Sequence, residues 1–338
     1  MTGQKRYWSV LLTLIILNLL VVYVSLTQGV FKLTTGELLK TLFNIGEVSQ
    51  TRLLIFDLRL PRIIAAGIVG ITLGIAGAVI QGITRNGLAD SGILGINTGA
   101  GFGIVIYLIL IQEKLIVAGR VSGMIMPLFG LLGGLGAALG SFFCSRQNGK
   151  LDPERLLLSG IAIGSGLRAA SIYLTLKMSP GDFQTAMLWM AGNVSNVNWE
   201  QIITVLPWMI GLIPVIIGKR ELLDLFQLEE NSVKSLGVAV DRERVILVLS
   251  SVGLVSVCVS VAGGIGFVGL LAPHLARELT SHRHQQIIPV CAGLGMLLVI
   301  GADLIGRTIF YSVEIAAGLV IALVGAPYFI YLWVKAKA

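Results

Sequence analysis

Apolar residues in this chain come in long runs, and polar residues gather in the short stretches between them. The charge-poor segments fall near 8–27, 63–84, 92–112, 122–144, 156–176, 201–218, 245–262, 265–276, 286–304 and 315–334. Most approach the roughly 20 apolar residues that a helix needs to cross the hydrocarbon of a bilayer. The eighth is short and broken by Pro273, so nine spans are defensible and ten fit the pattern better. The pattern therefore predicts an all-α, polytopic membrane protein of about ten transmembrane helices, one domain over residues 1–338. The first run follows Lys5 and Arg6 but is long and lacks a small-residue cleavage site, so it reads as a retained span.

Two stretches depart from this rhythm. Residues 219–244 are the most charged part of the chain. Leu222, Leu225, Phe226 and Leu228, then Val233, Leu236 and Val238, predict one or two short amphipathic helices there. Residues 178–199 are too polar around Gly192–Asn198 to span, and predict a short helix lying near the surface. Between 59 and 99, two runs rich in Gly and Ala flank a polar hinge, a composition suited to close helix packing.

Composition agrees with a membrane reading. Hydrophobic residues are 55% and charged residues 13%, against about 25% charged in a soluble domain; mean hydropathy is +0.88. The net charge of +7 fits loops held against anionic lipid, not nucleic acid. Lys and Arg are denser on the loops that become cytoplasmic if both termini are inside, which predicts that orientation. Loop 28–62 is the exception, with Lys32, Lys40, Arg52, Arg59 and Arg62 on the outer side; Lys114 is also counted there. Cys144, Cys258 and Cys291 lie in apolar runs with no pairing pattern and read as small core residues.

The chemistry that is missing narrows the function. No GxxxxGK[ST] occurs, since Gly149-Lys150 and Gly218-Lys219 lack the upstream glycine, so the chain is not expected to hydrolyse ATP or to be an enzyme. His274, His282 and His284 read as solvated loop histidines, not as a metal site, and no cofactor is expected. Within the spans Arg168 is the one clear ionisable residue, while Asp303 and Arg307, four apart, are placed to pair on one helix face. An ion-coupled secondary transporter or channel is the alternative, but it needs acids at mid-depth. The polar residues instead sit at the two membrane faces.

Several motifs resemble the permease subunits of bacterial ABC importers for iron–siderophore, haem and vitamin B12, the FecCD-type group. They are R59-L-P-R62, G74-x-x-G77-x-x-x-Q81, N86-x-L-A89, L94-G95-x-x-x-G99-A100 and G263-G264-I-G266-F267-V-G269-L-L-A-P273-H274-x-x-R277. L157-L-S-G160-I-A, W189-M-A-G192, S235-L-G237, A302-D303 and G325-A-P327 are similar too, so the likeness runs over roughly 55–335. Gly87 and Ser91 stand where the family has prolines, and Asp90 or Ser91 is expected to cap the next helix. Arg168 stands where relatives carry small or neutral residues.

The resemblance implies a B12-permease-like fold, paired with a second copy or a paralogue around a central pathway. It implies two cytoplasmic ATP-binding subunits, an extracytoplasmic substrate-binding protein and a ferric chelate as substrate, moved by alternating access. Arg59 and Arg307 would then meet acidic residues of the binding protein, their alternative being headgroup anchors. Residues 222–238 would be coupling helices, with Leu222, Leu225, Glu229, Ser235, Leu236 and Gly237 at the ATPase contact. Gly263, Gly264, Gly266, Pro273 and His274 would form a gate-like break between spans seven and eight, or a purely structural one. Arg168 either faces the pathway or pairs with a neighbouring helix.

Overall fold

Each apolar run becomes a helix because a chain in hydrocarbon must satisfy its own backbone. The structure, a computed structural model, describes residues 3–29, 31–45, 49–110, 120–147, 150–309 and 314–337, so Lys114 and Gly149 lie outside it. In order come α1 (Gly3–Thr27), α2 (Thr35–Leu42) and α3 (Ser49–Arg52). A π-helical turn, Leu53–Arg59, runs without a break into α4 (Leu60–Thr84). After a 3₁₀ turn at Ser91–Leu94 follow α5 (Ile96–Leu110) and α6 (Arg120–Cys144). The chain continues through α7 (Pro153–Thr175), α8 (Pro180–Met190), α9 (Trp199–Gly218), α10 (Arg220–Leu225) and α11 (Glu230–Ser235). It ends with α12 (Val240–Ala262), α13 (Val268–Leu279), α14 (His284–Thr308) and α15 (Ala317–Lys337).

Among the described residues, seven helical stretches are long and apolar enough to cross a membrane: α1, Gln50–Thr84, Ile125–Cys144, α7, α9, α12 and α14. With α5, α13 and α15 they occupy the ten expected segments. Local chemistry sets several starts. Asp152 caps α7, accepting from the N–H groups of Glu154 and Arg155, with Pro153 at the first position. Asn198 and Gln201 form a capping box at α9.

The fold is all-α, with a two-residue hairpin pairing Arg146–Gln147 with Lys150–Leu151 between α6 and α7. Two expectations need local correction. Asp90 precedes the Ser91–Leu94 turn without capping it by its side chain, and α5 begins only at Ile96. Cys258 and Cys291 are buried, but Cys144 is exposed, because it lies with Phe143 on the outward face of the α6 end while Phe142 and Ser145 pack inward.

The core is built on α4, which packs against α12, α13 and α14. It can be surrounded because its inward positions are small. A Cβ on Gly70 would strike the backbone of Gly295, and one on Gly77 the backbone of Gly269. Backbone-to-backbone approach of this kind supplies dispersion contacts where lipid offers no hydrophobic drive. The outer helices show the opposite composition: α1 turns Leu12, Ile15, Ile16 and Leu19 outward. Packing falls into matching sets: α4 lies on α14 and α12 on α6, α5 on α6 and α13 on α14, α6 on α7 and α14 on α15. That is the pairing expected of a repeat between α4–α7 and α12–α15.

Candidate functional site

The break between α12 and α13 gathers motifs that lie far apart in sequence. Helix α12 ends at Gly263, whose φ of +74° favours glycine and whose Cβ would collide with the carbonyl of Trp189. The Asn193 N–H donates to the Ala262 carbonyl at 2.8 Å, and Gly318 N–H to the Gly192 carbonyl at 2.9 Å. So W189-M-A-G192, the glycine block and the start of α15 meet at one place. Phe267, at φ +65°, opens α13 and lies against Gly325. The other two glycines are less constrained: Gly264 borders Asn97, and a side chain at Gly266 would meet nothing within 4 Å.

Pro273 explains a further link. It has no N–H, so the carbonyl of Gly269, four residues earlier, lacks its helical donor. Gln81 Nε2 of α4 donates to that carbonyl at 3.3 Å, and Gln81 Oε1 accepts from Arg277 Nη1 at 2.6 Å. The glutamine of the early motif thus joins both ends of P273-H-x-x-R277. His274 sits on α13, not in a loop, with Nε2 3.5 Å from Glu278 Oε1 and its ring edge-on to Tyr328.

At one end of the bundle, α10 and α11 form a small amphipathic unit. Leu223, Phe226 and Val233 are fully buried, whereas Leu222 and Leu225 are half-buried. Glu229, Ser235 and Gly237 are exposed, and Leu236 is 63% exposed. Helix α11 is held by Glu230, whose carboxylate accepts from Lys234 Nζ at 2.5 Å and Arg244 Nη1 at 3.0 Å. The hydrogen bond from Lys234, and then Arg244, hold the Glu230 carboxyl below its ordinary value, against the opposing effect of partial burial.

The unit is also fastened to the spans. The Arg85 guanidinium donates to the carbonyls of Phe226 and Leu228. Gln227 Nε2 donates to the Gly82 carbonyl at 3.1 Å. Asp224 Oδ1 lies 2.9 Å from the backbone nitrogen of His284 and 2.6 Å from its Nδ1. His284 is 2% exposed, which corrects its reading as a solvated histidine; it starts α14 under α10. His282 is exposed in the preceding loop, as expected.

The opposite end carries the arginines. Arg59 and Arg307 are buried, not projecting. Arg59 donates to the carbonyls of Leu26 and Phe31, and Arg307 to Ser25. Asp303 is 2% exposed and lies 2.9 Å from Arg62 Nε and 3.7 Å from Arg307 Nε. The expected Asp303–Arg307 pairing is present, and Arg62, which also reaches Glu314 at 2.9 Å, completes it. A cleft of about 350 Å³ opens here, lined by Arg59, Arg62, Arg307, Glu314, Ser195 and Asn196 among others. Arg168 lies on the exposed face of α7.

Sequence reading missed Leu223, Asp224 and the partners of Gln81 and Arg62. For Gln81 a signal existed: a proline inside a span leaves a carbonyl that some polar side chain must reach.

A family model described as the FecCD transport family matches residues 14–335. The iron-uptake system permease protein FeuC of Bacillus subtilis (strain 168) is 50% identical over 323 residues, 96% of each chain. The iron(3+)-hydroxamate import system permease protein FhuG of the same organism is 38% identical over 99% of each. A solved inward-facing structure described as a metal-chelate type ABC transporter superposes with a TM-score of 0.82 at 27% identity. That likeness covers 97% of this chain and 99% of the other.

Proposed function

The chain belongs to the FecCD transport family and is a permease subunit of an ABC importer, and from that premise we propose that it carries a ferric siderophore or related metal chelate. Two such subunits, or this chain and a paralogue, enclose the pathway. Two ATP-binding subunits act on the α10–α11 side, which is cytoplasmic together with both termini. An extracytoplasmic binding protein docks over the arginine cleft. The chain itself forms no covalent intermediate; ATP hydrolysis belongs to the partner.

One observation carries this reading. The α10–α11 unit is rigidly seated by Leu223, Phe226 and Val233 yet presents Leu228, Glu229, Ser235, Leu236 and Gly237 to the outside. A rigid knob with an apolar tip is what a soluble motor needs in order to push on a membrane bundle, and Leu222 and Leu225 brace its base. At the other end Arg59, Arg62 and Arg307 outnumber Asp303 and Glu314, so the cleft attracts an acidic partner and orients it. Gly263, Gly264, Gly266, Pro273 and His274 form the hinge at which the α12–α13 break changes direction during alternating access. Arg168 faces the second subunit or the pathway and favours an anionic chelate. The buried Asp303 is held between two guanidiniums, so it does not serve as the free mid-depth acid of a proton-coupled carrier.

The test is co-purification in detergent with the ATP-binding subunit encoded beside the chain. Wild type is expected to retain the ATPase, and a Leu236→Asp, Gly237→Arg double variant to lose it. An ATPase held equally by both misplaces the knob. No ATPase with either points to a secondary carrier.

A further inference from the structure

We propose that Asp224 and His284 form the joint through which α10–α11 moves the α4–α14 pair; this rests on the permease reading and adds positioning residues to it. The first turn of α14 gets no side-chain cap from its own preceding residue, Arg283. Asp224 supplies one from another helix, its Oδ1 accepting from the His284 backbone N–H at 2.9 Å. A carboxylate at that helix start also meets the positive end of the helix dipole. The same oxygen takes the ring Nδ1–H at 2.6 Å, so α10 holds α14 at two points of one residue. Two-point attachment fixes direction as well as distance.

Helix α4 joins at the same spot. Gly82 has no side chain, and a Cβ there would come within 3.0 Å of His284 Nε2 and 3.2 Å of Leu223 Cδ2. Gln227 Nε2 and the Arg85 guanidinium complete the fastening of α10 to the end of α4. Beyond the joint, α4 and α14 touch backbone to backbone at Gly70 and Gly295 and are closed at their far ends by Arg62 and Asp303. They form one strut about 37 Å long. Covalent connection alone would pass a push on α10–α11 to α9 and α12, whose ends are tied by Lys219 and Glu243. The Asp224–His284 joint recruits the other half of the bundle, which carries the arginine network.

The experiment uses the permease co-purified with its ATP-binding subunit in lipid nanodiscs, on a Cys144→Ser background. An environment-sensitive fluorophore is attached at Ile305→Cys on α14 or, separately, at Ile210→Cys on α9; both side chains are exposed. The readout is the spectral change on adding ATP. Asp224→Ala and His284→Leu are expected to cut the α14 response about tenfold and leave the α9 response in place. The double variant is expected to be no worse than either single one. Asp224→Asn keeps the acceptor and His284→Asn places an amide donor near Nδ1, so both should retain most of the response. Equal loss at α9 and α14, no loss at α14, or release of the ATPase by the variants would overturn the joint. A wild-type chain that holds no ATPase would overturn the permease reading, and the joint with it.

Discussion

Gly77 and Gly301 show how differently two glycines of similar spans are placed. Gly77 lies against the backbone of Gly269, where even a methyl group has no room, while Gly301 has nothing within 4 Å of its missing side chain. Gly77→Ala is therefore expected to destabilise the detergent-solubilised protein by about 1–3 kcal/mol, the usual cost of overpacking. Gly301→Ala should leave its melting temperature unchanged. Equal effects would mean that α4 and α13 are not in contact here. Gln81 offers a second residue-scale test. Gln81→Leu strands the Gly269 carbonyl and should cost about 1–3 kcal/mol, the price of an unmet buried acceptor. Adding Pro273→Ala returns a helical N–H to that carbonyl, so the double variant should recover part of the loss. A further loss instead would detach Gln81 from the proline's missing donor.

At the scale of elements, α11 is six residues long, too short to persist by itself. Its buried Val233 and the Glu230 contacts to Lys234 and Arg244 hold it. The Glu230 carboxyl lies below its reference value of 4.5 in the folded protein. Its contribution is accordingly present above that value and is lost as pH falls through the depressed one. The protection of α11 amides, measured relative to the intrinsic exchange rate at each pH, should fall on acidification below about 4.5, and Glu230→Gln should be less protected at neutral pH with no further acid step. Protection that is flat with pH in the wild type would remove Glu230 from the fastening. The existence of α10 and α11 was legible from apolar spacing in 222–238. The seating was not. Reading from sequence put Leu222 and Leu225 on the functional face, whereas the fully buried anchor is Leu223, because which side of so short a helix faces the bundle depends on α4 and α14.

For the whole molecule, orientation is the property that charge counting predicts and Cys144 can test. It is exposed at the end of α6, and the other two cysteines are buried. A membrane-impermeant maleimide should label it in inside-out vesicles and not in intact cells, which places the α10–α11 end in the cytoplasm. The reverse pattern would invert the topology and move the ATPase site to the arginine end.

The ten segments, the short surface helix at 180–190 and the knob near 220–237 were all readable from the chain, because a helix in a bilayer is local. Its length follows the hydrocarbon thickness, and its hydrogen bonds close within the segment. What joins those segments is not local. Arg62 meets Asp303 across 241 positions, Arg277 meets Gln81 across 196, and His284 meets Asp224 across 60. No periodicity records such partners, since each depends on which helix backbones the small residues allow to touch. Only the tertiary structure decided that Arg59 and Arg307 lie buried under their own loop, and that His284 leaves the solvent to hold α10.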